Sequence, residues 1–316
     1  MDSAPANAVN LGLGEIRLPL HPIFRKAAQE IISKKELFYT SNAGLIELRK
    51  KVCDYYQISY SDNVCITSGA EEAIFSALFA YLNANDEVLI ADPSFVAYKT
   101  IIQLMQAIPV SFLLNKNDFH FEKEQFLKTV SSKTKAVLLN NPINPTGTSY
   151  NEDDLRFIAD FCKTRNLLLL VDEVYRELYT GIRCKTILKY SNNAIVISSL
   201  SKSHGLSGWR LGWAATSGSE LIKPLIKVHQ YICTCASSLS QEMALIALSA
   251  DGNRVSDAIR HQLDLNRNFL LQQISAKNFL PNNHHPYLFV KVEDDLIAVE
   301  KLLENNVIVM PGSVFG

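Results

Sequence analysis

Leu167-Leu168-Leu169-Leu170-Val171-Asp172-Glu173-Val174-Tyr175 is an apolar run that stops abruptly at two acids. Leu167 to Val171 shows no polar alternation, which describes a strand covered on both faces, as in the middle of a parallel sheet. Similar runs recur at Val88 to Ala91, Ala136 to Asn140 and Ala194 to Ser198, with longer amphipathic stretches between them. That alternation marks βαβ units. Glu71 to Leu82 follows Thr67-Ser68-Gly69 with helical spacing, and Glu152 to Lys163 follows Tyr150-Asn151 in the same way, so both read as sheet-covering helices. The predicted fold class is α/β, with a three-layer αβα large domain around a mainly parallel sheet over residues 41–250. After Asp251-Gly252 a helical pattern runs from Val255 to about Ala276. Tyr287 to Val292 and Ala298 to Val309 then read as strand, helix, strand. Residues 1–40 and 251–316 are expected to form a smaller α+β domain.

Composition excludes several classes of function. The chain has 316 residues, 47% of them hydrophobic, enough for a substantial core, and a net charge of -1. With a pI near 6.7 it has no broad basic field to attract nucleic acid or an acidic membrane. Met1-Asp2-Ser3-Ala4-Pro5 lacks the basic-then-apolar pattern of a leader, and no apolar run spans a bilayer, so a cytoplasmic protein is expected. Cys53, Cys65, Cys162, Cys184, Cys233 and Cys235 are scattered without C-x-x-C spacing, which fits reduced thiols better than disulfides or zinc. Cys233-x-Cys235 is read as incidental, and no metal is expected.

Ligands of open α/β sheets gather outside the carboxyl ends of the strands, so the polar residues there are read together. Ile197-Ser198-Ser199-Leu200-Ser201-Lys202 ends a buried run in hydroxyls and a lysine, with Arg210 close behind. Such a lysine can hold an aldehyde as a Schiff base while its neighbours bind a phosphate, and pyridoxal 5'-phosphate carries both groups. Ser199-x-x-Lys202 also matches the S-x-x-K of serine acyltransferases, but Ser61-Asp62-Asn63 precedes it in the wrong order and no K-T-G occurs. Asp172 is either a helix cap or the anion that pairs with a protonated pyridine nitrogen. Tyr175 and Asn144, the latter in Asn144-Pro145-Thr146-Gly147, can donate to the ring oxygen, although that turn needs no ligand to explain it. Ser68, Gly69 and Ala70 open a helix whose free N–H groups suit a phosphate, with Ser199 and the planar fork of Arg210 completing the cradle. Phe95 either lies on the ring face or belongs to the core. His204 is assigned a structural or surface role and His284-His285 a loop. Gly12-x-Gly14 lacks the third glycine of a dinucleotide fingerprint.

Taken jointly, these elements resemble the class I/II, fold-type I pyridoxal-phosphate aminotransferases of the aspartate aminotransferase superfamily. The resemblance runs from Leu11-Gly12-Leu13-Gly14-Glu15 and Tyr39-x4-Gly44-x3-Leu48-Arg49 through Asn144-Pro145-Thr146-Gly147, Asp172-Glu173-x-Tyr175 and Ser199-x-x-Lys202-x7-Arg210. It ends at Pro311-Gly312-Ser313-x-Phe315-Gly316. The resemblance implies that Lys202 carries the Schiff base, that Asp172 pairs with the pyridine nitrogen, and that Asn144 and Tyr175 contact the ring oxygen. It further implies that Ser68, Gly69, Ala70, Ser199 and Arg210 hold the phosphate, Phe95 stacks on the ring, and Gly14 and Asn144 lie beside the substrate. Tyr39 would reach the phosphate of the neighbouring subunit, which makes a homodimer. The implied activity is ping-pong transfer of an amino group between an L-amino acid and a 2-oxo acid. A C–S lyase or decarboxylase on the same fold, or a non-catalytic cofactor-binding protein, are the alternatives. The family's arginine for the substrate carboxylate lies beyond the Pro-Gly-Ser-x-Phe-Gly element, where this sequence stops, so an incomplete small domain is expected. Thr234-Cys235-Ala236-Ser237-Ser238 holds no arginine to announce a dicarboxylic substrate, which leaves apolar or aromatic donors open.

Overall fold

The computed structural model describes residues 7–218, 220–274 and 286–316. The chain enters through β1 (Val9–Asn10), α1 (Pro22–Lys34) and α2 (Ile46–Tyr56), then alternates through β2 (Val64–Thr67), α3 (Ala70–Tyr81), β3 (Glu87–Asp92), α4 (Ala97–Leu104) and β4 (Ile108–Leu113). Next come α5 (Lys123–Thr129), β5 (Thr134–Asn140), α6 (Glu152–Thr164) and β6 (Leu168–Asp172), followed by β7 (Ala194–Ser199), α7 (Leu200–Ser203) and β8 (Gly212–Thr216). The remainder is α8 (Ile222–Cys233), α9 (Ser238–Ala247), α10 (Ala250–Gln273), α11 (Asp295–Glu304) and β9 (Val307–Ile308).

Seven strands form one sheet in the order β2-β8-β7-β6-β5-β3-β4. β3 through β7 run parallel, and β8 runs antiparallel to both β7 and β2. Side-chain alternation divides the strands between two layers. Leu89, Val137, Leu139, Leu169, Val171 and Val196 join Leu48, Val52, Phe126, Leu155 and Ile158 on one face. Ile90, Leu138, Leu170, Ile195 and Ile197 join Ile74, Leu78, Ile102 and Leu225 on the other. Helices therefore cover both sides, giving the three-layer αβα architecture that the unalternating leucine run requires.

The helices start where local chemistry starts them. Asn151 and Asp154 form a reciprocal capping box at α6, whose buried Leu155, Ile158, Ala159 and Cys162 share one face at helical spacing. The predicted start of the long helix at Val255 is corrected to Ala250, because the Ser249 side chain accepts the Gly252 N–H and caps the helix earlier. Its expected end at Ala276 lies outside the described residues, as do His284 and His285. Tyr287 to Val292, read as a strand, is irregular with one bridge position, at Val290, and finds no ladder among the described residues. β9 pairs instead with β1, Val9 opposite Val307 and Asn10 opposite Ile308.

The sheet order reverses between β3 and β5, since β4 lies outside β3 while β6 and β7 extend beyond β5. The segments leaving the carboxyl ends of β3, β5, β6 and β7 therefore border the crevice where ligands of such sheets bind. β8 closes on the turn before α3 with very little room. A Cβ on Gly212 would come within 2.6 Å of the Gly69 carbonyl carbon and 2.7 Å of the Ala70 nitrogen. Both obstacles are backbone and neither can rotate away. Gly212→Ala should therefore lose roughly 1–3 kcal/mol of stability in urea unfolding. Gly208→Ala, where a Cβ meets nothing within 4 Å, should stay close to wild type.

Candidate active site

Asp172 ends β6 and is only 4% exposed. Its Oδ1 accepts the Val174 N–H at 3.0 Å and its Oδ2 accepts the Tyr98 hydroxyl at 2.8 Å. Burial raises its pKa to about 6, opposed by those two donors and by the charge of Lys202. The adjacent strand end is tied to it, because Asn140 Nδ2 and the Asn141 N–H both donate to the Asp172 carbonyl, at 3.0 and 2.8 Å. Asn140 Oδ1 in turn accepts the Asn144 N–H at 2.7 Å, which fixes the turn that carries Asn144. The Asn144 Oδ1 is buried without a hydrogen-bond partner.

Tyr175 is buried, and its hydroxyl lies 2.8 Å from that of Tyr287. Burial raises both phenols, and the Asn144 side chain opposes the shift at Tyr175 by hydrogen bonding. Lys202 Nζ sits 5.9 Å from the centre of the Tyr175 ring and donates to the Gly14 carbonyl at 2.5 Å. Burial lowers the Lys202 pKa, with Arg210 acting in the same direction and Glu15 and Asp172 opposing. Gly14 has no space for a side chain, since a Cβ would fall 1.9 Å from the Tyr287 hydroxyl oxygen.

Gly69, at φ 97°, caps α3 in a conformation that favours glycine. A Cβ there would approach Arg210 Nη2 to 2.8 Å. Arg210 is exposed, and its Nη1 donates to the Ser207 carbonyl at 3.0 Å. Ser199 caps the short α7, its Oγ accepting the Ser201 N–H. Ser68, Gly69 and Arg210 thus share one end of the crevice while Asp172, Asn144, Tyr175 and Lys202 share its floor. Phe95 is half-buried and stands edge-on to Tyr98, with ring centres 5.5 Å apart. Tyr39 is apart from these, 85% exposed, and lines a cavity with Leu37, Cys235 and Ser237. His204 is buried beside Phe24, and its Nδ1 lies 2.8 Å from the Ser203 hydroxyl, a structural position.

Residues 6–316 match the model of the family described as aminotransferase class I and II. The chain belongs to that family. It is 30% identical to a probable aspartate aminotransferase of Methanocaldococcus jannaschii, covering 99% of this chain and 87% of the relative. It is 33% identical to a putative aminotransferase of Bacillus subtilis over 98% of this chain and 84% of that protein. Among solved structures, the aspartate aminotransferase of Thermotoga maritima superposes with a TM-score of 0.90 at 31% identity, covering 98% of this chain and 84% of that one. The protein is a fold-type I aminotransferase, an enzyme dependent on pyridoxal 5'-phosphate that takes amino-acid and 2-oxo-acid substrates.

Sequence reading missed three residues of this aminotransferase's crevice. Tyr98 had one signal, an aromatic three places after Phe95, where the turn entering α4 joins the Tyr98 N–H to the Phe95 carbonyl. Asn140 was read only as the end of a strand. Tyr287 had no local signal, because its position depends on a segment far along the chain.

The Asp172 environment sets a sign for pH dependence in the cofactor-free protein. Between about pH 4 and 6 the folded protein holds a proton on Asp172 that the unfolded chain has released. Stability from this group is therefore lost as pH rises through that window. Asp172→Asn should stabilise the cofactor-free protein at pH 7 by roughly 2–3 kcal/mol relative to its effect at pH 4, read from urea midpoints.

Proposed function

We propose that Lys202 is the lysine of this aminotransferase that captures the cofactor aldehyde and moves the substrate proton. The observation that carries the proposal is the lysine's position, its Nζ on the Gly14 carbonyl at 2.5 Å and its proton affinity lowered by burial. A lowered affinity enlarges the neutral fraction, and only the neutral amine can attack a carbonyl or act as a base.

The residues present fit pyridoxal 5'-phosphate. The Ser68–Ala70 turn opens α3, and the Arg210 guanidinium packs against it, Nη2 within 2.8 Å of where a Gly69 Cβ would stand, a set of donors suited to a phosphate. Asp172 is a buried acceptor whose ionised form a cationic neighbour would stabilise. When bound, the cofactor supplies an aldehyde for covalent capture of an amine and a ring that withdraws electrons from the adjoining carbon. Asp172 would hold the ring nitrogen, and Tyr175 and Asn144 would hold the ring oxygen. Phe95 would cover a ring face, while Ser68, Gly69, Ala70, Ser199 and Arg210 would hold the phosphate. Gly14 and Asn144 would flank the substrate. Lys202, once free, would take the proton from the substrate Cα and later return it, within a site where buried Tyr175 and half-buried Tyr287 limit water.

The domain division fits the same reading. Residues 41–250 would carry the cofactor, and residues 1–40 and 251–316 would form the smaller domain, tied together by the β1–β9 pairing. A homodimer would bring Tyr39 to the partner's phosphate. Its support is the exposed run of Leu37, Phe38 and Tyr39, 39%, 75% and 85% accessible. No helix among the described residues is long and apolar enough to cross a membrane, in keeping with a cytoplasmic enzyme.

Incubation of the holoenzyme with an L-amino acid and no oxo acid should accumulate pyridoxamine phosphate. Continuous release of pyruvate and ammonia would instead identify an eliminating enzyme. Lys202→Ala should lower turnover by about 100- to 10,000-fold and abolish borohydride fixation of the cofactor to the chain. Fixation that persisted would assign the bond to another residue.

A further inference from the structure

Behind the Ser68–Ala70 turn, α3 and α8 bring three different ligand types to one point. Glu72, His229 and Cys233 place a carboxylate oxygen, a ring nitrogen and a sulfur within 4.8 Å of one another. His229 is fully buried, and its Nδ1 lies 3.0 and 3.1 Å from the two Glu72 oxygens. Cys233 Sγ lies 3.6 Å from the same nitrogen and 4.0 Å from Nε2. His229 and Cys233 are one helical turn apart on α8, so their side chains share a face.

Two kinds of chemistry use such residues, and the geometry separates them. A nucleophilic relay needs the acid on one ring nitrogen and the thiol on the other. Here both converge on Nδ1, the arrangement of donors around a common ion. Tetrahedral zinc, with bonds of roughly 2.0–2.3 Å, places neighbouring ligand atoms roughly 3.3–3.6 Å apart. The observed 3.0 and 3.6 Å separations lie close to that spacing, and the third, between carboxylate and sulfur, is within 4.8 Å. Glu72 is oriented from the opposite side, by the Ser76 hydroxyl at 2.7 Å on Oε1 and the Ser68 N–H at 3.0 Å on Oε2. The Ser68 hydroxyl lies 3.7 Å from Cys233 Sγ. Oriented carboxylates of this kind are the outer support that metal sites use.

We propose that Glu72, His229 and Cys233 form a binding site for a thiophilic divalent cation of the zinc type, with three protein ligands and a fourth position open to water or an exogenous donor. A bound ion would join α3 to α8 and stabilise the folded enzyme by mass action.

The test is titration of the holoenzyme with cobalt(II), followed by displacement with zinc. Wild type should develop the visible bands of tetrahedral cobalt, to which the cofactor does not contribute, at one equivalent per chain. Zinc should bleach them and raise the thermal midpoint. Cys233→Ser should weaken binding by more than roughly 100-fold, since even outer-shell losses reach that order. Cys235→Ser should behave as wild type. Glu72→Gln, which keeps the shape of the side chain, should retain the midpoint without zinc and lose the zinc-induced rise. Absence of the bands in wild type, or their survival unchanged in Cys233→Ser, would overturn the proposal.

Discussion

The arrangement depends on a carboxylate held out of water. Asp172 stands at the end of a strand buried on both faces, and its two oxygens receive one backbone N–H and one tyrosine hydroxyl. Neutral donors offset only part of the desolvation of a charge. Its proton affinity stays raised, and a cation brought alongside is therefore bound strongly. The surrounding hydrogen bonds fix where that cation must sit. The Asp172 carbonyl takes two N–H groups from the end of β5, and Asn140 from that strand sets the turn bearing Asn144. One backbone carbonyl thus aligns the acid of β6 with the amide that follows β5.

The crevice is also shaped by the absence of side chains. Gly69, Gly212 and Gly14 each stand where a Cβ would meet a neighbouring atom at 2.8 Å or less. Two of those encounters, at Gly69 and Gly14, involve Arg210 and Tyr287, residues of the crevice itself. Chain segments distant in sequence can then approach closely, which brings a helix N-terminus, a guanidinium and an amine into one small volume.

Much of this was written in the sequence, for a physical reason. Strands buried on both faces must be apolar throughout, so Leu167 to Val171 and Ala194 to Ile197 declared themselves, and the first polar residues after them marked the crevice. Relations between separate elements were not legible. The antiparallel placement of β8 depends on a short turn after α7, and Tyr287 reaches Tyr175 from 112 positions away. Cysteine spacing, which lacks C-x-x-C pairs, carries no hint of the Glu72, His229 and Cys233 cluster. His229-x3-Cys233 was a readable helical pair, but Glu72 joins it through the contact of α3 with α8, which no local pattern encodes.

The pairing of β1 with β9 makes mechanical neighbours of the two ends of the described chain. Val9 and Asn10 lie only a few residues before Gly14, whose carbonyl receives the Lys202 amine. The Phe315 carbonyl accepts the Ser94 N–H just past β3. A rocking movement of the carboxyl-terminal segment would therefore act as a lever with two arms, one pulling on the loop that touches the lysine and the other on the loop that carries Phe95.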